Sequence, residues 1–122
     1  MRSLKVLGIL LCVLALGSMA TAGVNNLGIH DVAQVTFVAP IRVGTVVLPA
    51  GDYLVRHTME GQDHVMVFQS VRGKSPEVKV KCTLVQLGKK SDQTRTVYEF
   101  NAANERVLQE LVFRGDTAKH VF

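Results

Sequence analysis

The chain of 122 residues contains two cysteines, three prolines, two tyrosines and no tryptophan. Cys12 lies in an N-terminal apolar run that we expect to be removed, so Cys82 has no partner for an internal disulfide. Because Cys82 lies in an alternating segment, we expect it to be a buried small hydrophobe. The few aromatic residues disfavour a sugar-binding platform, and no glycine-rich phosphate loop precedes a helical pattern.

Catalytic signatures are also absent from the sequence. Nucleophilic catalysis needs a Ser, Thr or Cys beside a histidine and an orienting acid. Ser70, Ser75 and Ser91 do not lie in a glycine-flanked elbow, and the carboxylates are scattered through turns and strand faces. We therefore predict that the protein is not an enzyme, has no catalytic residues and needs no cofactor.

The first 22 residues have the three-part layout of a secretory signal peptide. Arg2 and Lys5 make a basic start, residues 6–16 are apolar, and residues 20–22 read Ala-Thr-Ala. The apolar run is about half the length of roughly 20 residues that a membrane-spanning helix needs. We predict cleavage after Ala22, a secreted or periplasmic location and no membrane span in the mature chain.

The charge of the mature chain is close to balanced. Without Arg2 and Lys5 it carries 12 basic and 10 acidic side chains. Charges of both signs are interspersed, so nothing favours a nucleic-acid partner. The sequence instead predicts a binding or structural protein of the bacterial cell envelope or extracellular space. Its expected partner is an envelope protein or polymer, and strand edges offer a route to a homo-oligomer.

After residue 31 the chain consists of short alternating segments with turn residues about every 10 to 12 positions, and no window has a clean helical period. This pattern predicts an all-β fold, a single antiparallel β-sandwich of about seven short strands, Ig-like or related, over residues 32–122. Residues 23–31 are predicted to be a flexible arm. A further alternative function is self-assembly, in which this arm or the tail 117–122 adds a strand to a neighbour.

One stretch of the sequence carries a motif. Residues 37–55 read F-V-A-P-I-R-V-G-T-V-V-L-P-A-G-D-Y-L-V. This stretch resembles small exported bacterial β-sandwich proteins of unknown function with the pattern F-x-x-P-x-x-V-G-x-x-x-L-P-A-G-x-Y-x-V. The resemblance implies the fold and export, and no particular activity. The motif also has an architectural explanation, because Leu48 and Tyr53 flank a proline-glycine turn and Gly44 permits a kink.

Two histidines and two methionines form a candidate metal site. If residues 60–63 form a four-residue loop, Met59 pairs with His64 and His57 pairs with Met66. The four side chains then share one face of the sheet. Imidazole and thioether ligands suit copper or another soft metal, so periplasmic metal binding is an alternative function. The other interpretation is that both methionines belong to the core, since further apolar side chains share this face.

Overall fold

We describe the protein from a computed structural model, which covers residues 24–73 and 76–122. The predicted signal peptide, with its cleavage site after Ala22, lies outside the described residues. The described part contains nine strands and no helix, which confirms the all-β class. The strands are β1 (Val32–Phe37), β2 (Ile41–Val43), β3 (Val46–Leu48), β4 (Gly51–Glu60), β5 (Asp63–Ser70), β6 (Val78–Gln86), β7 (Arg95–Phe100), β8 (Arg106–Val112) and β9 (Ala118–Val121).

The strands form one sheet in the order β1-β4-β5-β6-β9-β8-β2-β3, with β7 paired to β8. Neighbouring strands run antiparallel, as short connections favour, except that β2 and β8 run parallel with Arg42 opposite Val107. Nine strands are present where about seven are predicted. Part of the difference is β9, which occupies the predicted tail, and part is the turn at Gly44 (φ +61°) that divides β2 from β3.

The sheet folds over on itself at β6. Residues 78–82 of this strand pair with β5, and residues 83–86 pair with β9. The two halves of the sheet therefore face each other as two layers around a single core. The core side chains come from both halves: Val35, Phe37, Ile41, Val43, Leu48, Tyr53, Val55, Met66, Phe68, Leu108, Leu111 and Phe113.

The C-terminal segment is built into the sheet. Residues Ala118–Val121 form β9, which pairs with β6 on one side and β8 on the other. Ala118 and His120 are fully buried. The prediction that residues 117–122 add a strand to a neighbouring molecule is therefore wrong, because both edges of β9 are already paired within the chain.

Residues 24–31 lie against the domain, so the prediction of a flexible arm is wrong for this part. Ile29 is fully buried. The backbone N–H of Thr117 donates a hydrogen bond to the carbonyl of Gly28 at 2.7 Å. The other apolar residues of the segment, Val24 and Leu27, are exposed. The attachment therefore depends on the buried Ile29 side chain and on backbone contacts that local composition does not reveal.

A buried carboxylate reinforces this attachment. Asp116 is fully buried, and one of its oxygens accepts the backbone N–H of His30 at 3.1 Å and also contacts Nδ1 of the His30 ring. Burial raises the pKa of Asp116, while the contacts with His30 lower it. The pair joins the segment before β1 to the turn before β9.

We expect Gly28→Ala to destabilise residues 24–31, which we call the docked segment. Gly28 has φ +82°, and a Cβ there would lie 2.1 Å from Thr117 Oγ1, whereas Gly61 has φ +64° and open space around it. Gly61→Ala is therefore a matched control, which should lose about 1–2 kcal/mol of unfolding free energy from backbone strain alone. Gly28→Ala should lose roughly 1 kcal/mol or more beyond that. Urea unfolding measures both, and equal losses would contradict a role for the Thr117 contact.

Candidate functional site

The β4–β5 hairpin brings two of the predicted site residues into contact. Gly61 takes a positive φ in the tight turn, and the register that follows pairs His57 with Met66 and Met59 with His64, as predicted. The ring nitrogens His57 Nε2 and His64 Nδ1 are 2.9 Å apart. This is a hydrogen bond between the rings, so one of the two nitrogens carries the shared proton.

The two methionines have different surroundings. Met66 is buried and belongs to the hydrophobic core. Met59 lies near the end of the hairpin and is 46% exposed. The register places both on the same face as the histidines, but only Met66 is a core residue.

A third histidine reaches the same region from β9. His120 is fully buried, and its ring centre lies 6.2 Å from that of His57. Phe113 packs edge-on against it, with ring centres 5.9 Å apart. The Nε2 atom of His120 has no hydrogen-bond partner among the described residues. An unpaired polar atom at this depth costs free energy, which a ligand or a proton donor would recover.

Cys82 completes what we call the histidine cluster, which consists of His57, His64, His120 and Cys82. On β6, Cys82 is the cross-strand partner of His64. Its Sγ atom lies 3.8 Å from His120 Nδ1. The side chain packs against the core as expected for this cysteine, but it is only partly buried.

Burial sets the protonation of the cluster. It lowers the pKa of His57, which nearby His64 lowers further and Asp31 raises. Burial lowers the pKa of His120 to about 4, with further contributions from the other two histidines. Burial also raises the pKa of the Cys82 thiol to about 11. At pH 7, His57 and His120 are therefore neutral and can offer a nitrogen lone pair, while the thiol keeps its proton.

The cluster is not arranged as a finished metal centre. Within residues 24–73 and 76–122, no three His, Cys, Asp or Glu side chains are placed to hold an ion together. An ion bound in line between His57 and His64 would hold the two nitrogens about 4 Å apart, because metal–imidazole bonds are about 2.0 Å long. Binding would therefore require the two rings to move apart by about 1 Å.

A groove of about 510 Å³ connects His64 with solvent. It runs between the docked segment and β6, and its lining consists of Val24, Asn25, Asn26, Leu27, Gly28, His64, Leu84, Gln86 and Thr117. A small ion can reach His64 by this route without opening the core.

A second group of exposed side chains lies at β7, on the far edge of β8 from β9. Within the described residues this strand pairs only with β8, so its second edge is open. Val97, Tyr98 and Phe100 on β7 are 44%, 41% and 56% exposed, and nearby Val38 is 91% exposed. Single exposed apolar residues are common, but Tyr98 and Phe100 on one face of β7 and Val97 on the other make this open edge a candidate interaction surface.

Arg106 stacks against the aromatic residues of this edge. Its guanidinium carbon lies 5.2 Å from the centre of the Tyr98 ring and 5.4 Å from that of Phe100. The two rings meet edge to face at 5.7 Å. These cation–π contacts favour one orientation of the two rings at the surface.

A small apolar pocket lies between the two ends of the sheet. Its volume is about 80 Å³, and its lining consists of Thr36, Phe37, Val38, Ala39, Ile41, Thr96, Tyr98 and Arg106. Drug-sized ligands fill cavities of roughly 300–1,000 Å³. The pocket is therefore suited to one apolar side chain of a partner.

Comparison of the chain with protein-family models, characterised proteins and solved structures gives no match. Among the described residues, no helix has the length and apolar character of a membrane span. Function therefore has to follow from the chemistry of the histidine cluster and of the β7 edge.

Sequence analysis identifies half of the histidine cluster. His57 and His64 can be found because they flank one short hairpin. Cys82 and His120 were not assigned to the site, because their approach depends on the pairing of β6 with β9, across 38 residues of chain. The sequence does contain one signal for His120. Residues 118–122 alternate, which places His120 on the same face as the apolar Ala118 and Phe122.

We expect the pKa of His120 to make the fold acid-sensitive. Its folded-state pKa of about 4 lies below the ordinary 6.5, so the unfolded chain takes up a proton that the folded chain refuses as the pH falls between these values. The unfolding free energy should fall by roughly 3 kcal/mol through this group. The lowered pKa of His57 also reduces the unfolding free energy as the pH falls. The raised pKa of Asp116 has the opposite effect.

His120→Leu removes the titrating group while keeping an apolar side chain at the buried position. Urea unfolding at about pH 7.5 and pH 4.5 should show a smaller loss of stability in this variant than in the wild type. The other titrating groups are common to both proteins, so the difference reports on His120. The same pH dependence in both proteins would contradict the assignment.

Proposed function

We propose that this protein is an exported, non-enzymatic domain of the bacterial cell envelope that binds an envelope protein by strand addition at β7. The observation that carries the proposal is the open edge of β7 with its exposed Val97, Tyr98 and Phe100. In strand addition, backbone hydrogen bonds supply affinity, and pockets for alternate side chains supply specificity.

The surroundings of β7 support this mode of binding. An unpaired edge presents a row of N–H and C=O groups that another strand can satisfy. The pocket of about 80 Å³ next to Val38 and Tyr98 can receive a side chain from the incoming strand. Arg106 fixes the two aromatic rings before binding, which reduces the entropy lost when a partner immobilises them.

The chemistry of Cys82 and His120 supports a non-enzymatic role. A nucleophilic cysteine needs a lowered pKa, whereas burial raises the pKa of Cys82 to about 11. The nitrogen of His120 that faces away from Cys82 has no hydrogen-bond partner among the described residues, so no acid orients the ring there. This pair therefore lacks two of the features that nucleophilic catalysis uses.

Location outside the cytoplasm is the second part of the proposal, and it rests on the leader pattern of residues 1–22. Cys82 is the one cysteine after that leader, so the mature domain needs no disulfide formation after export. A secreted and a periplasmic location are equally consistent with the pattern.

Photo-crosslinking in cells tests the proposal. A photo-crosslinking residue at Val97 should give adducts with an envelope protein. The same residue at Leu54 should not, because this exposed position lies on β4, which is paired on both edges. The mass of the recovered chain should show the loss of residues 1–22. Adducts at both positions, no protein adduct at Val97, or a retained leader in the cytoplasm would each contradict it.

A second candidate function is soft-metal binding, and the convergence of the histidine cluster favours it. Three imidazoles and a thiol from four strands meet at one end of the molecule, and a groove leads to His64. The neutral imidazoles of His57 and His120 are suited to Cu(I) or a similar ion, and Nε2 of His120 has no hydrogen-bond partner among the described residues. We propose His57 and His64 as the primary ligands, with Met59 and Met66 on the same face.

Metal titration tests this second candidate. Cu(I) and Cu(II), each added alone to the exported protein, should bind at one equivalent. The double variant His57→Ala/His64→Ala should bind about 100-fold more weakly or worse, since it lacks both ligands. His30→Ala is the control, because His30 contacts Asp116 instead of the cluster. Equal affinity of the wild type and the double variant would exclude the site.

A further inference from the structure

We infer that the strand accepted by β7 is β7 of a second copy of this chain, paired antiparallel about a two-fold axis at Val97. The inference rests on the proposed strand addition and names its partner. This pairing would join the two sheets edge to edge through the segment Arg95–Phe100. The strands β8 and β7 and their two counterparts would then form one continuous sheet.

Symmetry limits the registers that this pairing can adopt. In an antiparallel ladder, the backbone groups of successive residues point alternately to the two edges, and two directly opposed residues either both point toward each other or both point away. When a strand pairs with its own copy, opposed residues must therefore be an even number of positions apart. The two-fold axis then passes beside a residue, which makes Thr96, Val97 and Tyr98 the central candidates.

Charge selects Val97 among these three. With Val97 opposite its own copy, Arg95 lies opposite Glu99, and by symmetry this ion pair occurs twice. Neither Arg95 nor Glu99 takes part in an ion pair among the described residues, so both charges are available. Opposite charges on directly opposed strand positions attract, and like charges repel.

The two alternative registers lose this complementarity. With Tyr98 at the centre, the Glu99 carboxylate lies opposite the apolar Val97 side chain. With Thr96 at the centre, Arg95 lies opposite Val97. Both arrangements place a charge against an apolar side chain and leave it without a partner, which disfavours them.

The faces of β7 match the proposed contact. The irregularity in the β7–β8 ladder lies at Gln109 on β8, so β7 keeps its own alternation. Arg95, Val97 and Glu99 therefore share one face, where the two valines would pack between the two ion pairs. On the opposite face, the Val97-centred register puts Tyr98 against Thr96 of the other copy, which extends the aromatic surface.

Sedimentation equilibrium of the exported protein tests the inference by charge reversal. The wild type should show concentration-dependent dimerisation. Glu99→Arg and Arg95→Glu should each weaken it by at least about tenfold, because each reversal turns both ion pairs into like-charge contacts. The double variant Arg95→Glu/Glu99→Arg should restore dimerisation to near the wild-type value, since the charges are complementary again.

Asp92→Arg is the matched control, with the same charge change as Glu99→Arg on an exposed loop outside β7. It should dimerise like the wild type, and the circular dichroism spectra of all variants should agree. A monomeric wild type, equal effects of Asp92→Arg and Glu99→Arg, or failure of the double variant to recover would each overturn the inference. If the wild type is monomeric while Val97 crosslinks to a different envelope protein, self-pairing is wrong and strand addition stands.

Discussion

The register of the β4–β5 hairpin determines which of its side chains enter the core and which form the histidine contact. Side chains alternate between the faces of a strand, so a slip of one residue would exchange the core face and the solvent face. The turn at Gly61 fixes the register, and it points Val55 and Phe68 into the core. The same register places His57 against His64. The histidine contact is therefore a result of the pairing that builds the core.

The two surfaces with functional character follow from how the sheet folds over. Because β6 pairs with β5 along its first half and with β9 along its second, the two layers are joined on this side. The histidine cluster forms beside that junction, where residues from β4, β5, β6 and β9 approach. On the other edge of β8 from β9, β7 keeps an open edge.

Local sequence patterns are sufficient to predict the features that depend on neighbouring segments of the chain. The all-β class and the pairing of His57 with Met66 are both found in the structure, because a hairpin encodes its own register. The burial of His120 and the docking of Ile29 were not predicted, since each depends on a partner far along the chain. The segment that forms β9 is short and contains the polar residues Lys119 and His120, so its composition suggests a tail although its side chains alternate as in a strand.

The position of β9 in the sheet has a consequence for the order of folding. Of the nine described strands it is the last in chain order, yet it lies between β6 and β8 and joins the two layers. A chain synthesised from its N-terminus cannot complete the sheet until Ala118–Val121 have appeared. The pairing of β9 with β6 joins segments that lie far apart in the chain. Such pairing is slow, because the chain loses conformational entropy before the stabilising contacts form. The two layers therefore cannot be joined through β9 until this last of the described strands has been made.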